Sequence, residues 1–104
     1  MRGDAFASGA DPADQMRACV RETVISRRCG GDTMRAMEVA ARDLAMPLRR
    51  VRAWFYGEAK TLGAAEYLTV KARYEQLLAR EADRLEHQAS LLRSRQRRLA
   101  EDGR

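Results

Sequence analysis

Lysine is nearly missing from a strongly basic chain. Of twenty Lys and Arg residues among 104, only Lys60 and Lys71 are lysine, and fifteen Asp and Glu leave a formal charge of +5. Arginine's planar fork matches phosphate and guanine, so the bias points to nucleic acid ahead of an anionic membrane. Proline is equally scarce: Pro12 and Pro47 are the two, and from Ala64 to Asp102 there is neither proline nor glycine. Long stretches without helix breakers predict an all-α fold. Aromatic residues reach only 6%, against 45% hydrophobic and 34% charged, a mixture suited to amphipathic helices around one small core.

Other absences exclude chemistry. Cys19 and Cys29 form no CxxC pair and His87 is the single histidine, so a zinc ligand set is lacking and two free thiols are expected. No Ser, Cys and His combination, Gly-rich phosphate loop or metal-ligand spacing marks an enzyme, and neither a cofactor nor a small-molecule ligand is expected. No apolar run approaches the length of a membrane span, and no signal-peptide core opens the chain. A cytoplasmic, nucleoid-associated protein is the expectation.

What is present divides the chain in three. Residues 1–10, small and polar without periodicity, read as disordered. Residues 11–77 read as a small helical domain and 78–104 as a helical extension for self-association. Asp11 before Pro12 is a helix start, with Met16, Cys19, Val20, Thr23 and Val24 on one face and Gly30 and Gly31 as the stop. Asp32 caps a second helix striped by Met34, Met37, Ala41 and Leu44. Pro47 forces a turn at Ala45 and Met46, and a third helix over 47–56 follows, with Val51, Trp54 and Phe55 apolar and Gly57 as terminator. Such a short helix is marginal alone and must dock on the other two.

A long fourth helix is predicted from Gly63 or Ala64 to Gly103. Tyr67, Leu68, Val70, Tyr74 and Leu77 are expected to pack on the core. Beyond them Leu78, Leu85, Leu92 and Leu99 recur every seven residues, with Ala82, Ala89 and Gln96 four residues after the first three. This is a heptad seam with leucine at d and small or polar residues at a, so Leu78, Ala82, Leu85, Ala89, Leu92 and Leu99 are the expected dimer interface. An amphipathic helix folded back on its own domain is the competing arrangement. Gln88 to Ser90 is a mild polar break that leaves the continuity of this helix open.

Two short helices joined by a tight turn, the second basic on its free face, are the arrangement of a helix-turn-helix DNA reader. Ala41 suits the close crossing, Leu44 and Met46 flank the turn, and Val51 and Trp54 are the anchors. The run MEVAARDLAMPLRRVRAWFYG, residues 37–57, resembles the helix-turn-helix of the phage repressor and Cro-like family of bacterial regulators. It departs where Ala45 stands in the usual glycine position and Pro47 in that of a capping Ser or Thr.

With Val51 and Trp54 inward, Leu48, Arg49, Arg52, Ala53 and Tyr56 face outward. The resemblance implies that Leu48, Arg49, Arg52 and Ala53 reach base edges, the arginines on guanine and the apolar pair on thymine methyl groups. It assigns Arg50, Tyr56 and Lys60 to phosphate. Arg93, Arg95, Arg97 and Arg98 form a second basic cluster, read as a solvated face. The implied function is a sequence-specific regulator binding double-stranded DNA as a homodimer, on half-sites about 34 Å apart or a multiple of that. The alternatives are a helical interaction module of antitoxin or adaptor type, and an RNA or nonspecific nucleic-acid binder.

Overall fold

The computed structural model describes Phe6 and residues 11–103. Among these are four helices and no strand: α1 (Pro12–Arg27), α2 (Thr33–Leu44), α3 (Leu48–Phe55) and α4 (Ala64–Asp102). No helix is long and apolar enough to cross a membrane among the described residues. The chain divides into two units, Met1–Tyr74 and Glu75–Arg104.

In the first unit both predicted caps form. The Asp11 side chain accepts from the Ala13 amide with Pro12 opening α1, and the Asp32 side chain accepts from the Arg35 amide at the start of α2. Each satisfies one of the amides that a helix start leaves without an internal partner, a contribution of about 1 kcal/mol. Helix α1 ends at Arg27, short of the expected glycines. Arg28 is extended, and Gly30 and Gly31 take φ of 65° and 86° in the turn beyond. Arg27 then holds Asp43 of α2 through a 2.8 Å contact.

The core draws on all four helices. Met16, Cys19, Val20 and Val24 of α1 are fully buried, as are Met37 and Leu44 of α2, Val51 and Trp54 of α3 and Val70 of α4, with Tyr74 of α4 nearly so. Each large apolar side chain removed from water this way contributes about 1.5–3 kcal/mol against the entropy of ordering the chain. The buried Thr23 hydroxyl donates to the Cys19 carbonyl one turn back, so it carries no unsatisfied polar atom into the core. Burial pushes the Cys19 thiol up to about 12, whereas Cys29 is exposed; both are free thiols.

Two expected core residues lie outside. Met34 is 42% exposed, and Ala36 and Ala40 are buried in α2 instead. Positions 36, 37, 40, 41 and 44 form one stripe, and the alanines in it let α2 approach its neighbours closely. Leu68 is 64% exposed, because Tyr67, Val70 and Tyr74 define the inward face of α4 and Leu68 lies about 200° around the helix from Val70. Tyr67 donates to Gln15 Oε1 and Tyr74 to Glu22 Oε2, both at 2.8 Å, so two phenols tie the front of α4 to α1.

The expectation of disorder over residues 1–10 falls outside the described residues except at Phe6. Its ring packs edge-on against Tyr67 and Tyr74, with centroids 5.6 and 5.5 Å apart. In the second unit the helix runs unbroken through Gln88 to Ser90. Leu78 and Ala89 are half-buried there, Ala82 is exposed, and Leu85, Leu92 and Leu99 are more than half exposed.

Candidate nucleic-acid interface

The turn between α2 and α3 is closed by Ala45 in the left-handed conformation, φ 56° and ψ 46°. The Ala45 amide donates to the Arg42 carbonyl and the Met46 amide to the Ala41 carbonyl at 2.9 Å, while Met46 folds its side chain into the core. These bonds define a Schellman closure, whose left-handed position favours glycine. Alanine there carries a steric cost of about 1 kcal/mol. The bend survives because buried groups on both sides, Leu44 and Met46, fix the chain.

Pro47 caps α3 without a side-chain hydrogen bond; its carbonyl accepts from Arg50 and Val51. The helix therefore starts at Leu48, one residue later than expected, and is eight residues long. A second Schellman closure ends it: the Gly57 amide donates to the Trp54 carbonyl, the Glu58 amide to the Ala53 carbonyl, and Gly57 has φ 74°. The C-terminal ends of α2 and α3 are thus set by the same device, with alanine at one and glycine at the other.

Around this short axis the side chains sort by depth. Val51 and Trp54 are buried, Leu48 and Ala53 are half-buried, and Arg49, Arg52, Tyr56 and Lys60 are exposed. Neither the Arg49 nor the Arg52 side chain has a hydrogen-bond or ion-pair partner among the described residues. Tyr56, 57% exposed, stands edge-on to Phe55 at 5.1 Å. Helical spacing of three sets Arg49 and Arg52 on the same outer face, separated by one turn.

Arg50, expected as a phosphate contact, is engaged with groups of its own chain. Its Nε donates to Glu66 Oε2 at 2.8 Å and its Nη2 to Glu66 Oε1 at 2.7 Å and the Thr61 carbonyl at 2.9 Å. The guanidinium also lies 5.6 Å from the centroid of the Trp54 ring. The Nε and Nη2 side of the fork thus binds α3 to the first turn of α4. Hydrogen bonding to Arg50 holds the Glu66 carboxyl below its ordinary value against the opposing effect of burial, and the same bond raises Arg50. The Trp54 indole N–H is close enough to lower Glu66 slightly further, yet it is buried without a hydrogen bond of acceptable geometry. Arg50 and Glu66 also form one wall of a groove of about 290 Å³ beside Ala45, Met46, Pro47 and Val70.

Helix α1 contributes what the sequence reading missed. Arg21 Nη1 donates to the Phe55 carbonyl at 2.8 Å, with its guanidinium 5.0 Å from the Phe55 ring centroid. A cation on the last carbonyls of a helix complements its negative end. The Arg17 guanidinium sits next to Gly57, 3.9 Å from where a Cβ on that glycine would stand. No local spacing signals these contacts, since Arg21 and Phe55 are 34 residues apart. Among the described residues no three His, Cys, Asp or Glu side chains gather as a metal site requires.

The chain matches no known protein family, and comparison with curated proteins and with solved structures likewise finds no significant similarity.

Proposed function

We propose that the protein is a sequence-specific regulator that binds double-stranded DNA as a homodimer, with α3 in the major groove. One observation carries this reading. Arg49 and Arg52 stand exposed and unpaired on one face of a short helix, after a left-handed turn, while the arginine between them is engaged internally. A solvated helix has no need to separate its arginines this way.

In this reading Arg49 and Arg52 take guanine O6 and N7, each bidentate pair giving about 1–3 kcal/mol of discrimination. Leu48 and Ala53, half-buried at the edges of that face, offer short apolar contacts to thymine methyl groups. Tyr56 and Lys60 hold phosphate, joined by Arg17 beside the end of α3. Arg50 acts as a positioning residue that fixes the helix against α4. The leucine seam of Leu78, Ala82, Leu85, Ala89, Leu92 and Leu99 brings two copies together.

The test is selection from a random duplex pool, with Arg49→Gln/Arg52→Gln run beside the unaltered protein. An enriched inverted repeat that the double variant no longer selects is the expected outcome. Selection of the same repeat by the variant would overturn the assignment of the two arginines. Failure of the unaltered protein to enrich any duplex, with single-stranded RNA competing at equal nucleotide concentration, would turn the reading to RNA.

A further inference from the structure

Two patterns run along residues 75–103, one of size and one of charge. At the seam, leucines 78, 85 and 92 alternate with Ala82, Ala89 and Gln96. In charge, Glu75, Glu81, Asp83 and Glu86 outnumber Arg80 and Arg84 over residues 75–86, whereas Arg93, Arg95, Arg97 and Arg98 face no acid over residues 87–98. All of these charged side chains are exposed or half-exposed, and Leu85 and Leu92 are 51% and 57% exposed. An apolar stripe this open marks an interaction surface.

We propose that the partner is a second copy of the same helix running antiparallel, its two-fold axis passing near residue 87. The proposal rests on the homodimer reading above and specifies how that dimer is built.

Size argues first. A parallel pair sets like against like, so Ala82 meets Ala82 and Ala89 meets Ala89, leaving layers too small to fill beside layers of paired leucines. Antiparallel about residue 87, Ala82 lies opposite Leu92 of the second copy and Leu85 opposite Ala89. Every central layer then holds one large and one small side chain, which is how facing helices interdigitate without voids. Gln96 lies opposite Leu78 near the ends of the seam, where its amide reaches water.

Charge argues independently. In a parallel pair Glu81 flanks Glu86 of the second copy on both sides of the seam, and the two arginine clusters lie side by side. In the antiparallel pair Glu81 flanks Arg95 of the second copy twice, and each acidic half lies along a basic half. One like-charge contact remains, Glu86 against its own copy at the axis, with Arg93 of the second copy about 7.5 Å further along. Sliding the pairing by one heptad replaces Arg95 opposite Glu81 with Asp102 in one direction and Gln88 in the other. Within its own helix Glu81 accepts from Arg84 through both carboxylate oxygens, at 3.3 and 2.6 Å, an exposed pair of small net value.

Disulfide mapping distinguishes the orientations, because a disulfide forms only when the two Cα atoms lie within about 7 Å. With Cys29→Ser as background, Ala82→Cys and Leu92→Cys proteins are oxidised separately and as an equimolar mixture at a concentration where sedimentation reports a dimer. Antiparallel pairing predicts a covalent dimer of mixed composition and none from Ala82→Cys alone, whose two sulfurs would be about 15 Å apart along the axis. A covalent dimer from Ala82→Cys alone establishes parallel pairing and overturns the proposal. A dimer that crosslinks in no sample has another interface and overturns it equally. Sedimentation as a monomer at all concentrations instead removes the homodimer reading itself, and the proposal with it.

Discussion

Ala45 concentrates the conformational cost of the helix-turn-helix arrangement in one residue. Its φ of 56° is the only positive value at a non-glycine position among the described residues. Ala45→Gly removes the clash of Cβ with the backbone but adds freedom to the unfolded chain, and the two together predict a net gain of about 0.5 kcal/mol at most in a urea melt. No gain would mean that the surrounding packing already relieves the strain. Glu66 sets a different expectation at the same scale. Its folded value lies below the ordinary 4.5, so its pairing with Arg50 stabilises fully above that pH and the contribution is lost as pH falls through the lower folded value. Glu66→Gln should flatten this acid limb in pH-dependent melts. Arg50 stays charged throughout, since its hydrogen bond to Glu66 moves it upward.

At the scale of elements, α3 is too short to stand alone and is held by what it buries. Trp54→Ala empties the largest buried side chain and should cost about 3–5 kcal/mol, against about 1–2 kcal/mol for Val51→Ala, as measured by chemical denaturation. The caps at Asp11 and Asp32, the turn before Pro47 and the anchors Val51 and Trp54 were legible because each is a local rule, settled within a few residues. Ala36 and Ala40 were missed because alanine carries little hydrophobic signal, and Leu68 was misplaced because leucine carries a strong one whichever way it faces. The pairing of Arg50 with Glu66 and the contact of Arg21 with Phe55 span 16 and 34 residues. Such contacts depend on how helices cross, which no window of sequence records. The leucine stripe of α4 was legible from its period. Leu85→Glu with Leu92→Glu should convert the expected dimer to a monomer in sedimentation while the near-ultraviolet signal of Trp54 is retained; persistence of the dimer would place the contact elsewhere.

For the whole molecule, the charge of +5 is carried almost wholly by arginine, and some of those arginines are already committed to internal partners. Only the remainder is available to phosphate. Binding to duplex should therefore weaken with added salt at a slope of about −0.9 in log–log form per phosphate neutralised. Removing Lys60 should reduce that slope by about one and leave the preferred sequence unchanged, whereas removing Arg49 should alter the preference. A variant of Lys60 that changed the selected sequence would move that residue from the backbone to the bases.

The unbroken course of α4 has a kinetic meaning as well. Starting a helix in water is the unfavourable step, by a factor of about 10⁻³, and each residue added afterwards fixes one more backbone bond at little cost. Because Val70 and Tyr74 are held by the folded core, residues 75–102 begin from a turn already wound, and coiling can propagate outward from it. Amide exchange in a dilute sample should therefore be slowest near Glu75, next to the buried turn, and rise with distance from it along the helix.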